Sequence, residues 1–200
     1  MSTHKFEIRL PKTVSEALRI DEETGTPFWR NAIMKEMLNV RVAFEQWNDG
    51  TLEEVRKGTK LIGYQEIMCH MIFDIKMDLS RKARFVAVGH TTETPVSLTY
   101  SSVVSRESVR IAFLIASLYD IDICAADVGN AYLNADCRER IYTIAGDEFQ
   151  SERGCIMIIK KALYGLKSSG AAWRAMMAFT LCQMGFPCCK ADPDVWTRPS

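Results

Sequence analysis

The sequence predicts an α+β domain, and three observations carry that prediction. One stretch of apolar residues repeats with period two. Two others repeat with the helical period, and the segments lack the even spacing of βαβ units. Length and composition agree: 200 residues, 48% hydrophobic and 25% charged, suffice for one domain or two small lobes around a real core.

Taken in order, residues 1–25 form a weakly patterned lead-in to a main unit at 26–200. Within the lead-in, LPKTVSEALRI can hold a short helix opened by Ser15, and IDEETG reads as an exposed break. Thr26 as N-cap and Pro27 at the first helical position then open TPFWRNAIMKEMLNVRVAFEQW. Trp29, Ile33, Met37, Val40 and Phe44 recur at helical spacing and make one apolar stripe. After the polar connection NDGTLEEVRKG the period drops to two. Ile67, Cys69, Met71, Phe73 and Ile75 alternate with mostly polar neighbours, which predicts a half-buried strand. RFVAVGH follows as a second strand, so a β-hairpin is expected, although KMDLSR lacks an Asn-Gly or Asp-Gly turn. Lys76, Arg81, Lys82 and Arg84 cluster there around the turn acid Asp78. Such a cluster is a solvated face by default and a phosphate-contacting finger on the sharper reading.

TETPVSLTYSSVV is expected to be loop or short edge structure. Ser105 caps the next helix, RESVRIAFLIASLYD, whose apolar density implies burial on most of its circumference. IDICAAD follows as a strand ending at Asp127. Arg140 to Ile144 gives another short strand, GDEFQSERG a turn region, and CIMIIKKALYGLK a strand that changes character at Leu163. SSGAAWRAMMAFTLCQMGF is a second clear helix, with Trp173, Met176, Met177, Thr180, Leu181 and Met184 on one face and Gly185 as its stop. KADPDVWTRPS looks like the approach to a further strand.

Composition excludes several classes. Lys plus Arg equals Asp plus Glu at 25 each, so bulk charge does not mark a nucleic-acid or membrane binder. His4, His70 and His90 are far apart and the seven cysteines form no Cys-x-x-Cys pair, which argues against zinc and for free thiols in a reducing compartment. No phosphate-binding loop, dinucleotide fingerprint or serine elbow is present. Nothing resembles a membrane span or signal segment, so an intracellular location is expected. What remains is Asp127. A strand end holds a carboxylate rigidly, as a hard divalent cation such as magnesium requires. An ordinary surface carboxylate fits the same position. Asp122 and Asp136 are weaker candidates.

Six blocks in this chain resemble the reverse transcriptase domain of Ty1/copia-type retrotransposons, in the family's order and over most of the length. They are TPFWRNAIMKEM, KARFVAVGH, YSSVVSRESVR, ADVGNAYLNAD, KKALYGLKSSGAAW and MGFPCCKADPDVW. The resemblance implies a fingers-and-palm architecture and RNA-directed DNA polymerisation, transferring nucleotides from dNTPs onto a primer 3′-hydroxyl with two magnesium ions. Asp127 falls on the first catalytic, metal-binding aspartate and Val128 on the metal-binding backbone carbonyl. Tyr132 falls on the aromatic beneath the incoming sugar, and Lys82 and Arg84 on the nucleotide-binding part of the fingers hairpin. Tyr164, Gly165, Leu166 and Lys167 match the block beside the nascent base pair. The implied partners are an RNA or DNA template with its primer, dNTPs, and the rest of a longer polyprotein. The implied location is cytoplasmic, in a virus-like particle, or nuclear.

Three departures qualify those expectations. Ser168 stands where the family has Gln, and Ala135 where it has Gly. The second carboxylate pair, in a Tyr-x-Asp-Asp hairpin, is not among these 200 residues. The expectation is therefore a fingers and incomplete palm with little activity alone. The alternatives are a catalytically inactive nucleic-acid-binding remnant and an inert relic.

Overall fold

The computed structural model describes residues 4–89 and 99–198. A two-stranded ribbon, β1 (His4–Lys5) and β2 (Ile8–Arg9), leads into α1 (Val14–Thr24) and α2 (Phe28–Val40). Thr13 rather than Ser15 caps α1, its hydroxyl accepting from the Glu16 N–H at 3.1 Å. The helix runs through IDEETG instead of breaking there and ends at Gly25 in the left-handed region, φ 66°. Its last turn buries Asp21, whose two oxygens accept from the Trp29 N–H at 3.0 Å and the Arg30 N–H at 2.8 Å. Asp21 therefore caps α2, and Thr26 does not. A carboxylate reaching from the preceding helix satisfies two N–H groups at once, which a hydroxyl cannot.

Trp29, Ile33 and Val40 are buried as the stripe predicts. The helix ends at Val40, and Phe44 opens a strand, β3 (Phe44–Trp47), that the helical spacing had concealed. The polar connection holds a one-turn helix, α3 (Leu52–Arg56), closed by a Thr51–Glu54 capping box.

β4 (Gln65–Glu66) is followed by the expected hairpin, β5 (Cys69–Ile75) and β6 (Arg81–Ala87), in antiparallel register from Cys69↔Ala87 to Ile75↔Arg81. Its turn places Leu79 at φ 62°, and Asp78 accepts from the Ser80 N–H and hydroxyl. Met71, Phe73 and Ile75 share a buried face with Ala83, Phe85 and Ala87, and α2 lies against it. Trp29 meets Phe73 edge-on at 5.5 Å, and Glu36 accepts from the Phe85 N–H at 3.0 Å.

The second sheet runs β3-β8-β7-β4, built from β7 (Ile141–Ile144) and β8 (Ile156–Ile159) as well. β3–β8 and β8–β7 are antiparallel, and β4–β7 is parallel. All four β8 residues are buried, as a central strand covered on both faces requires. Phe44, Phe85 and Phe149 join sheet to hairpin through edge-to-face contacts of 5.2 to 5.7 Å. A mixed α+β fold is thus observed.

α4 (Arg106–Tyr119) is capped by Ser105 as expected. Its expected burial is overturned: Ala116 is its one buried residue, while Ile111, Phe113, Leu114 and Leu118 are each more than half exposed. The expected strand at IDICAAD is also absent. Residues 121–128 form no ladder and are exposed throughout. Both corrections have one cause. Among the described residues, no strand pairs with this segment and no layer covers the apolar sides of α4. The last helix, α5 (Ser169–Gln183), ends before Gly185 at φ 83°. Trp173 and Met176 pack on the small cluster of Ala135, Ala162 and Ala172, whereas Met184 is exposed. Residues 92–98 of the TETPVSLTYSSVV segment, together with His90 and Thr91 before it, lie outside the described residues.

Candidate functional site

Alternation along β6 puts Lys82 and Arg84 on the face opposite Phe85. The Lys82 position lies across from Asp74, which is ion-paired to Lys5 at 2.6 Å. That ammonium, chiefly by its hydrogen bond, holds the Asp74 carboxyl below the ordinary aspartate value. The basic face of the hairpin is therefore partly neutralised near Lys82 and open at Arg84.

The segment after β8 turns back onto β6. Lys161 bridges to Asp136, and the Ala162 N–H reaches the Ala135 carbonyl at 2.9 Å. Leu163 and Leu166 are buried and anchor the turn on either side of Tyr164 and Gly165. The Tyr164 carbonyl accepts from the Ala87 N–H at 2.8 Å. Gly165 sits at φ 94°, and a Cβ there would lie 2.0 Å from the Ala87 carbonyl oxygen. A Cβ on Gly89 would lie 2.2 Å from the Gly165 oxygen. Two glycines thus let two backbones meet where side chains could not fit.

That contact sets the Tyr164 ring beside Arg84, whose guanidinium carbon is 5.1 Å from the ring centroid. The Tyr132 ring lies 4.6 Å from the same ring, tilted by 47°. Tyr132 comes from a 3-10 turn, residues Ala131–Asn134, that packs on α5. Arg84, Tyr164 and Tyr132 are distant in sequence and form one cation–aromatic–aromatic row, with Gly165 and Leu166 as its floor. Such a row can bind a flat, negatively charged ligand: rings for a base or sugar, guanidinium for phosphate. Lys167, two residues after Gly165, is half-buried.

The two departures from the family blocks have structural explanations. Ala135 is buried against Ala162 and Ala172, where small side chains allow close packing. Ser168 is buried and donates its hydroxyl to the Glu139 carboxylate.

Asp127 and Val128 are not brought to the row. Both are exposed on the unpaired segment, so the expectation of a rigid strand-end carboxylate fails here. Among the described residues no three His, Cys, Asp or Glu side chains are grouped to hold a metal ion. One exposed carboxylate and one carbonyl do not by themselves fit a divalent cation, which wants six or more oxygen ligands.

Sequence reasoning missed Asp192. Its carboxylate accepts from the Ser105 N–H at 3.0 Å, the Ser108 hydroxyl at 2.6 Å and the Asp194 N–H at 3.0 Å. These bonds, the Ser108 hydroxyl foremost, lower its acid to about 2. With the Arg174–Asp194 pair at 2.7 Å, Asp192 ties the segment after α5 to the start of α4. The Asp-Pro-Asp spacing is its signal in the sequence.

A family model described as reverse transcriptase (RNA-dependent DNA polymerase) matches residues 47–199. The chain is 26% identical over 174 residues to the retrovirus-related Pol polyprotein from transposon TNT 1-94 of Nicotiana tabacum, covering 82% of this chain and 12% of that protein. It is 29% identical over 185 residues to the retrovirus-related Pol polyprotein from transposon RE1 of Arabidopsis thaliana, covering 88% of this chain and 12% of that protein. It is 36% identical over 107 residues to the transposon Ty1-BL Gag-Pol polyprotein of Saccharomyces cerevisiae, covering 51% of this chain and 6% of that protein. The chain therefore spans a small part of the length of the relatives it matches. No solved structure matches it. No helix among the described residues is long and apolar enough to cross a membrane. The match across residues 47–199 covers most of the chain, and this chain therefore belongs to the reverse transcriptase (RNA-dependent DNA polymerase) family.

Proposed function

We propose that these residues are the fingers and part of the palm of a retrotransposon-encoded reverse transcriptase, which adds dNTPs to a primer on an RNA or DNA template. The observation that supports this best is the row of Arg84, Tyr164 and Tyr132 on the Gly165 floor. In this reading Arg84 and Lys82 meet the triphosphate. Tyr132 stands under the incoming sugar and rejects a 2′-hydroxyl by bulk. Tyr164 to Lys167 flank the nascent base pair. Asp127 and the Val128 carbonyl would supply two of the several oxygen ligands that magnesium needs, and the bound metal would stabilise charge on the transferring phosphoryl group. Among the described residues no further His, Cys, Asp or Glu side chains are grouped to complete such a site, so weak polymerisation is expected of the purified chain.

A second reading is a nucleic-acid-binding module without catalysis. The exposed, unpaired placement of Asp127 favours it. Magnesium-dependent nucleotide addition on a primed RNA template, measured with the purified chain, separates the two. Weak incorporation that Asp127→Ala abolishes supports the polymerase, and Arg84→Ala should then raise the KM for dNTP. Primer–template binding without any incorporation supports the binding module. If dNTP and primer–template bind no better to wild type than to an Arg84→Ala, Tyr164→Ala double variant, both readings fail.

A further inference from the structure

α1 and α2 pack together, and a 3-10 segment, Asp147–Glu152, lies across both. Between the three is a cavity of about 270 Å³. Val14 and Leu18 from α1, with Ile33 and Met34 from α2, give it an apolar wall. Val14 and Ile33 are buried, whereas Met34 is 53% exposed and offers a flexible thioether chain at the rim.

Two charges in the same wall lack an opposite. The 3-10 segment carries three acids. Asp147 pairs with Arg153 at 2.9 Å and accepts from the Ser15 hydroxyl at 3.0 Å, and Glu152 pairs with Arg41 at 2.6 Å. Glu148 is half-buried and lines the cavity, yet it has no ion pair among the described residues. Burial, foremost, pushes its acid above the ordinary glutamate value. Arg30 gives its backbone N–H to Asp21, but its guanidinium forms no ion pair among the described residues either. A partly desolvated carboxylate gains from a cationic partner, and a guanidinium matches a carboxylate in a two-bond fork.

The lip of the cavity is also strained. Gln150 holds φ 53° and ψ −110°, a conformation side chains rarely adopt, and it divides the 3-10 segment in two. Such outliers persist where the surroundings over-determine them, and they collect at ligand clamps.

We propose that this cavity binds a small apolar zwitterion, an apolar α-amino acid such as leucine. Its carboxylate meets Arg30, its ammonium meets Glu148, and its side chain lies on the apolar wall. The volume falls just below the roughly 300–1,000 Å³ of ordinary small-molecule sites, which suits an occupant of few heavy atoms. An apolar amine would meet Arg30 uncompensated, and an apolar acid would meet Glu148, so the zwitterion alone matches both charges. The cavity shares no residue with the row of Arg84, Tyr132 and Tyr164, and its ligand is independent of the polymerase reading.

Chemical-shift titration of the isotope-labelled chain tests it with leucine and three relatives. Isoamylamine lacks the carboxylate, isocaproate lacks the ammonium, and glycine lacks the apolar body. Leucine should bind more tightly than each by about ten-fold or more, the worth of one charge-assisted contact or one buried side chain. Its shifts should centre on α1, α2 and residues 147–152. Arg30→Gln should remove the advantage over isoamylamine and keep that over isocaproate, and Glu148→Gln should do the reverse. Arg30 is exposed and Glu148 half-buried, so neither substitution opens the core. The comparison of the four compounds on wild type stands even where a variant melts early. Leucine binding no tighter than isoamylamine or isocaproate overturns the proposal, as does the same ranking of compounds in both variants. Leucine-induced shifts that centre outside the cavity overturn it too.

Discussion

Gly165→Ala is the substitution whose cost follows most directly from the geometry. The new Cβ would lie 2.0 Å from the Ala87 carbonyl oxygen, 3.0 Å from its carbon and 3.2 Å from its nitrogen, all backbone atoms that cannot swing aside. The turn must lift off β6. Doing so breaks the 2.8 Å bond from the Ala87 N–H to the Tyr164 carbonyl, worth about 1 kcal/mol net. Forced repacking around Leu163 and Leu166 adds about 1–3 kcal/mol. Holding alanine at φ 94° adds about 1–2 kcal/mol more. The sum, about 3–6 kcal/mol, is a large share of the roughly 5–15 kcal/mol that stabilises a domain.

Gly25→Ala is the natural control. Gly25 also has a positive φ, 66°, but nothing within 4 Å of its would-be Cβ. It should therefore cost the backbone term alone, about 1–2 kcal/mol. Urea denaturation of both variants gives the comparison through the shift in midpoint at constant slope. Gly165→Ala should exceed Gly25→Ala by about 2–4 kcal/mol, the sum of the contact terms. Equal losses would show that the approach to Ala87 is not held in solution, and the assembly of the row would lose its basis. If the approach holds, Gly165→Ala also moves Tyr164 away from Arg84 and Tyr132.

Two further predictions concern single side chains. Asp192 has a folded acid constant depressed to about 2, below the unfolded value of about 3.9. The stability it supplies is thus complete above about pH 4 and is lost as pH falls toward 2. Trypsin cleavage at Lys190 should be faster in Asp192→Asn than in wild type at neutral pH, and equal rates would remove its anchoring role. Burial pushes the Cys69 thiol up to about 12. Iodoacetamide at mildly alkaline pH should therefore modify the exposed Cys124, Cys182 and Cys188 and spare Cys69, as read by peptide mass spectrometry. Rapid labelling of Cys69 in the folded chain would contradict its packing against the core.

Elements whose patterns are local can be read from the sequence. Period two gave the hairpin of β5 and β6, and Trp29, Ile33 and Val40 gave the buried stripe of α2. Ser105 and Gly185 marked true helix ends. The family resemblance gives Arg84, Tyr132 and Tyr164 separate roles, and no local pattern connects them. Tertiary structure decided the rest, because the deciding partners are remote. Phe44 kept the helical spacing yet belongs to β3, since β8 offers it a ladder. Asp21 displaced Thr26 as the cap of α2 because a folded-back helix end brings two acceptor oxygens to two N–H groups. IDICAAD has the composition of a strand, but a strand exists only where another backbone pairs with it, and none does among the described residues. Asp127 is exposed for that reason, whereas Arg84, Tyr164 and Tyr132 meet because two glycines allow the end of β6 and the turn after β8 to touch.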